Sequence, residues 1–179
     1  GCAVGEVAEP NVDGFQRGDV VVTDTSFGWQ QYAAIDPQAV RKINLDRAPA
    51  PCWLDFLGFN GVTAYVGMKE VANVRSGDNV VVSAAAGSVG QIAGQVARLS
   101  GARTIAVTSS PAKAVHCLQL GYDEAIDYRI NADLAGAIAK ACPGGVDVFF
   151  DNTAGDIHDA VMQNLAIHAR IALCGTISL

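Results

Sequence analysis

The chain has 179 residues, of which 50% are hydrophobic and 17% charged, and its formal net charge is −6. That length buries a substantial core in one domain or one and a part, and the negative balance with no basic run opposes nucleic-acid binding. No apolar run approaches the roughly 20 residues of a membrane span. The start Gly1–Glu6 lacks the charged and apolar regions of a secretory leader. The five cysteines, Cys2, Cys52, Cys117, Cys142 and Cys174, are scattered without a C-x-x-C pair, which argues against a structural zinc site and a disulfide framework. A globular, cytoplasmic chain that meets neither membrane nor nucleic acid is expected.

Ala3–Val7 reads as a short strand, residues 10–14 as a turn, Gly18–Val22 as a second strand and Trp29–Ala33 as a candidate third. About fifty residues of this kind are too few to close a barrel, so residues before Gly1 are expected to be missing. Asp46–Pro51 is a proline-punctuated boundary. Helical segments over Trp53–Phe59 and Gly61–Val74 follow, then a turn at Ser76-Gly77-Asp78. The domain boundary is placed between residues 56 and 57.

From Val80 the pattern changes. The β-branched run Val80–Ser83 ends in small residues, and from Ser88 a helical face of Val89, Ile92, Ala93, Val96 and Ala97 takes over. Ala85, Gly87 and Gly90 reproduce the spacing of a dinucleotide-binding turn with alanine in the first glycine place. Such a turn keeps bulk away from a pyrophosphate, and the helix start supplies amide groups to it.

Strand and helix then alternate. Strand Thr104–Thr108 leads to a helix with Pro111 near its first position and Gly121 beyond its end. Strand Ala125–Asp127, a helix capped by Asn131 and running to Ala141, strand Val146–Phe150, helix Asp156–Ile167 and strand Arg170–Cys174 complete the series. Five alternating strands predict an α/β fold with a Rossmann-type, doubly wound parallel sheet. A sixth strand has not appeared by Leu179, so the chain reads as cut at both ends. In the strand order 3-2-1-4-5-6 the first and fourth strands are neighbours at the switch point. The loops Ala84–Gly90 and Asp151–Gly155, far apart in sequence, then converge on one crevice.

A sheet that prefers NAD carries an acid at the end of its second strand. Here that strand ends Val107-Thr108-Ser109-Ser110, with no carboxylate to repel a 2′-phosphate and with Lys113 on the first turn of the next helix. NADP is the expected cofactor.

Four stretches complete the reading: Gly58-Phe59-Asn60-Gly61-Val62-Thr63-Ala64-Tyr65-Val66-Gly67-Met68, Ala84–Gly90, Asp151-Asn152 and Cys174–Ser178. In order and spacing they resemble the zinc-independent medium-chain reductases, which include prostaglandin reductase, plant alkenal double-bond reductase and bacterial curcumin reductase. The resemblance runs over essentially the whole chain. It implies part of a GroES-like β domain over residues 1–56 and an NADP-binding Rossmann domain over 57–179. It also implies NADPH-dependent reduction of the C=C bond of α,β-unsaturated aldehydes and ketones without a metal.

Carried over by position, Gly87, Ser88, Val89 and Gly90 hold the pyrophosphate, and Lys113 and Tyr128 the adenosine 2′-phosphate. Asn152, Cys174, Gly175, Thr176, Ile177 and Ser178 line the ribose and nicotinamide side. From the residues alone, Tyr128 reads as a strand-end aromatic, Cys174 as a small core hydrophobe and Asp151 as a loop-ordering residue. His116, His158 and His168 read as surface or packing residues. No side chain present is a secure catalyst, because the tyrosine proposed to assist protonation follows the segment matching Ser178. Thr153-Ala154-Gly155 departs from the usual Val-Gly-Gly of the family. A homo-oligomer, a dimer, is expected, and the 179-residue chain is expected to be nearly inactive. Rival readings are a quinone reductase of the same superfamily and a non-catalytic NADPH-binding sensor or scaffold. A zinc alcohol dehydrogenase is disfavoured because no cysteine-rich lobe is present.

Overall fold

The alternation of β-branched runs with small-residue turns decides where strands form. In the computed structural model, which describes residues 1–23 and 27–177, the chain divides into two units, Gly1–Asn60 and Gly61–Leu179. No helix is long and apolar enough to cross a membrane among the described residues.

In the first unit, β1 (Val4–Glu6), β2 (Val20–Thr23) and β3 (Val40–Lys42) form a three-stranded antiparallel sheet with β2 in the middle. Residues 29–33 form no strand, contrary to expectation, and Trp29 is exposed. The partner of β2 comes later instead. Asp36 caps a 3₁₀ turn over Pro37–Ala39, its Oδ1 accepting from Gln38 N at 2.9 Å, and this turn delivers Val40 into register with Thr23. Helix α1 (Ala50–Leu54) starts earlier than the expected Trp53, because Pro51 sits in its first turn.

Helix α2 (Phe59–Tyr65) continues into a π-helical turn over Val66–Val71, where Ala72 N donates to Gly67 O at 2.9 Å. The widening falls at Gly67, which lies so close to the Phe150 ring that a Cβ there would sit 2.5 Å from it.

The second unit alternates β4 (Asn79–Ser83), α3 (Ser88–Leu99), β5 (Arg103–Thr108), α4 (Pro111–Gln119), β6 (Glu124–Asp127), α5 (Leu134–Ala141), β7 (Val146–Asp151), α6 (Gly155–Met162) and β8 (Leu165–Leu173). All pairings are parallel, in the order β6-β5-β4-β7-β8. This is the expected 3-2-1-4-5 arrangement, which puts the first and fourth strands side by side. Val80, Val81 and Val82 are fully buried because helices cover both faces of the sheet. On one face Ala93 and Ala97 of α3 and Cys117 of α4 pack on Val80, Val82 and Ala106, and on the other Ile138 of α5 and Val161 of α6 pack on Val81, Ile105 and Val107. β8 is the edge strand, with no strand on its outer side among the described residues.

Boundaries of α5, α6 and β8 differ from expectation. Asp133 caps α5, accepting from Gly136 N at 2.8 Å, while Asn131 turns back to donate to Asp127 O at 2.7 Å. Helix α6 ends at Met162 rather than Ile167, since the Asn164 side chain donates to the carbonyl of Ala160 at 3.0 Å, and β8 begins at Leu165 rather than Arg170. The longer strand is accommodated by a bulge. Its register jumps from Val146↔Leu165 to Val148↔Arg170, with His168 in the left-handed region at φ 66.

Candidate functional site

The carboxyl ends of β4 and β7 are joined by one buried network. The Asp151 carboxylate is wholly inaccessible. Its Oδ1 accepts from Ser83 Oγ at 3.0 Å, from Thr153 N at 2.9 Å and from Ala154 N at 3.0 Å, and its Oδ2 pairs with His158 Nδ1 at 2.8 Å. Burial alone would push this carboxyl up, but the amides of Thr153 and Ala154, the His158 imidazole and the Ser83 hydroxyl together hold it below the ordinary carboxylate range.

Asn152 closes the link. Its amide donates to Ser83 Oγ at 2.8 Å, and its side chain donates to Ser83 O at 2.7 Å. On the other side of β7, the amides of Cys174 and Gly175 donate to Asp151 O at 2.7 and 3.1 Å. A Cβ on Gly175 would lie 2.7 Å from Asn152 O, so only glycine permits this approach. The segments around residues 152–155 and 174–175 are therefore both positioned by Asp151.

The turn after β4 is equally confined. Gly87 N donates to Ala84 O at 2.8 Å, Ala85 N to Val107 O at 3.2 Å, and Gln91 N to Gly87 O at 3.0 Å. Ala84 takes φ 47, a left-handed conformation that costs an alanine of order 1 kcal/mol. Ala154, at the end of the turn after β7 and just before α6, also takes a positive φ, at 59. The departure at this position thus adds strain at the end of β7. Gly90 is buried against the turn, and a Cβ there would stand 2.5 Å from Ala84 O. Gly87 and Ser88 are exposed and Val89 is half-buried. With no acidic residue in the first turn of α3, its amides and dipole face the crevice unopposed, as an anionic ligand requires.

The third group lies at the ends of β5 and β6. Lys113 is exposed, and its Nζ donates to Ser109 Oγ at 3.1 Å, while Ser110 caps α4. Tyr128 N donates to Thr108 O at 3.0 Å, bringing Tyr128 beside the same strand end. Sequence reasoning missed an acid here. Asp127 is the register partner of Thr108, and both Thr108 Oγ1 and Asp127 Oδ2 are buried without a hydrogen-bond partner. The carboxylate absent from the end of β5 is present at the end of β6, turned inward.

The structure thus brings Gly87, Ser88, Val89 and Gly90 to one turn, Lys113 and Tyr128 to the adjacent strand ends, and Asn152, Cys174 and Gly175 to the far side of the crevice. Thr176 and Ile177 follow and are exposed, and Ser178 lies outside the described residues. Cys174 is exposed rather than a core residue, because β8 ends at Leu173. Its thiol is pushed above the ordinary range, by partial desolvation and then by the Asp151 charge, which leaves it a poor nucleophile. Asp151 orders its loop as expected. His158 is more than a packing residue, since its ring both pairs with Asp151 and lies 5.9 Å from the Phe149 ring. His116 and His168 are exposed. A cavity of about 220 Å³ lined by Thr23, Phe27, Gln30 and Ile35 belongs to the first unit and holds none of these residues.

Residues 88–179 match the family described as zinc-binding dehydrogenase. The chain is 44% identical over 177 residues to the Bacillus subtilis (strain 168) protein YfmJ, covering 97% of this chain and 52% of the relative. It is 39% identical over 181 residues to the 2-alkenal reductase (NADP(+)-dependent) of Nicotiana tabacum, covering 99% of this chain and 52% of the relative. A crystal structure of CurA from Vibrio vulnificus in complex with NADPH matches with a TM-score of 0.91 at 37% identity, over 99% of this chain and 52% of that one. The chain spans about half the length of the curated relatives it matches. No three His, Cys, Asp or Glu side chains gather into a metal-binding group among the described residues.

Proposed function

The chain belongs to the zinc-binding dehydrogenase family, and we propose that it binds NADPH and serves reduction of the C=C bond of small α,β-unsaturated aldehydes and ketones. In this reading residues 1–56 are part of a GroES-like catalytic domain and 57–179 an NADP-binding Rossmann domain. One observation carries it: two loops far apart in sequence are tied by Ser83, Asp151 and Asn152 at the switch point of the sheet, and one of them is a glycine turn with no room for a Cβ at Gly90. The likeness to an alkenal reductase and to an NADPH-bound structure supports the cofactor and substrate class.

Gly87, Ser88, Val89 and Gly90 would hold the pyrophosphate on the amides of α3, and Lys113 and Tyr128 the 2′-phosphate. Asn152 with Cys174, Gly175, Thr176, Ile177 and Ser178 would line the ribose and nicotinamide. Bound NADPH would supply a hydride to the β-carbon of the conjugated carbonyl. The chain's own part is orientation: the loops tied together through Ser83, Asp151 and Asn152 would hold the nicotinamide side in place. The proton donor is not among these residues.

The reading places the protein in a reducing, cytoplasmic setting, in keeping with its free thiols, and as a homodimer. Neither nucleic acid nor membrane is a partner.

The decisive assay gives NADPH with a small enone, a quinone and a simple ketone, with and without chelator, to this chain and to the whole product of its gene. Enone turnover insensitive to chelator is expected of the whole product, and near-zero turnover of the 179-residue chain. Turnover confined to the quinone favours the rival reductase, loss with chelator restores a metal enzyme, and tight NADPH binding without turnover favours a sensor.

Lys113→Ala should weaken NADPH binding at least about tenfold, the loss of one charge-assisted phosphate contact of roughly 1.5–3 kcal/mol, and leave NADH nearly unchanged. Titration showing equal loss for both cofactors would overturn the 2′-phosphate assignment.

A further inference from the structure

Tyr122 stands between α4 and β6 and is 4% exposed. Its hydroxyl donates to the carbonyl of Gly90, in the first turn of α3, at 2.7 Å. The ring lies directly against the helix, where a Cβ on Gly94 would overlap it. Burial pushes the Tyr122 hydroxyl well above the ordinary phenol range, so the proton stays in place for this bond.

The segment that carries Tyr122 is itself fastened. Tyr122 N donates to Cys117 O on α4 at 3.1 Å, and Asp123 N donates to Thr104 O on β5 at 3.0 Å. Arg98, in the last turn of α3, donates to Gly121 O. Residues 121–123 therefore tie both ends of α3 to α4 and to the start of β6. The first turn of α3 faces the pyrophosphate in the proposed function, whereas α4 carries Lys113 and β6 leads into Tyr128.

We propose that Tyr122 is a positioning residue for the cofactor: its hydroxyl, through the Gly90 carbonyl, sets the spacing between the pyrophosphate turn and the 2′-phosphate site. A ligand that touches both places at once depends on that spacing. One that touches only the Lys113 end does not. The inference rests on the proposed NADPH site and adds to it a residue that contacts no part of the cofactor.

Tyr122→Phe removes only the hydroxyl and keeps the packed ring. NADPH and adenosine 2′-monophosphate are titrated into the original chain and into the variant, and the melting temperature of each is recorded. NADPH is expected to bind about three- to tenfold more weakly to the variant, the worth of one hydrogen bond, with adenosine 2′-monophosphate unchanged within about twofold. A lower melting temperature with both affinities unchanged would make Tyr122 structural only and overturn the inference. Equal weakening of both ligands would do the same. If the original chain binds neither ligand, the proposed cofactor site itself fails.

Discussion

Replacing Asp151 by alanine should lower the stability of the chain by about 3–5 kcal/mol, read from urea unfolding, and reduce NADPH affinity with it. The carboxylate is the common acceptor for Ser83 Oγ, Thr153 N, Ala154 N and His158. Without it, two loop amides and a hydroxyl remain buried with nothing to receive them. Asp151→Asn should cost less, because the amide oxygen still accepts from the loop while its NH₂, in place of Oδ2, loses the charge-assisted contact with His158 Nδ1.

The pH dependence has a definite sign. Asp151 is held below the ordinary carboxylate range in the folded chain, so the unfolded chain binds its proton first as pH falls. The stabilisation is complete above the unfolded value of about 4 and is lost as pH drops through the lowered folded value. The stability difference between the original chain and Asp151→Asn should therefore be flat above about pH 5 and shrink below it. A difference that grows on acidification would mean that the folded carboxyl is raised rather than lowered.

The alternation that revealed the sheet is local, and so it was legible. Val80–Val82 and Val148–Phe150 are fully buried and read as continuous apolar runs for that reason. The switch point followed from strand order, and with it the meeting of the loops after Ser83 and Asp151. What joins them was not legible. Ser83 and Asp151 lie 68 residues apart, and no spacing rule connects a strand-end serine to a strand-end aspartate. The start of β8 was missed for the opposite reason. Leu165 and Ile167 continue the apolar spacing of Ile157, Ala160 and Val161, and only the Asn164 side chain and the bulge at His168 break a helix that periodicity would prolong. Asp133 rather than Asn131 caps α5, accepting from Gly136 N, while the Asn131 NH₂ donates back to Asp127 O. Tyr122 carried no motif, and its place depends on Gly94 of α3, which leaves room for its ring.

Gly90→Ala is expected to destabilise the chain by about 1–3 kcal/mol and to weaken NADPH binding by more than about tenfold. Helix propensity alone predicts the reverse, since alanine is favoured over glycine within a helix by about 1 kcal/mol. Geometry decides the sign. The new Cβ would stand 2.5 Å from Ala84 O, 2.8 Å from Ala85 Cα and 3.0 Å from Ala85 C, all backbone atoms that no rotamer change can move aside. The turn has little slack to yield, because Ala84 already sits at φ 47 and Ala85 N is bonded to Val107 O. Helix α3 must move instead, which carries its first-turn amides off the phosphate position and the Gly90 carbonyl off Tyr122.

Gly144→Ala is the control, since a Cβ there meets nothing within 4 Å. Gly87→Ala is intermediate, with one contact of 3.1 Å to Ala84 O. Urea midpoints and NADPH titrations should therefore order the variants with Gly90→Ala worst, Gly87→Ala next and Gly144→Ala near the original chain. If Gly90→Ala matches Gly144→Ala in both measurements, the close approach of α3 to the turn is not what shapes this site.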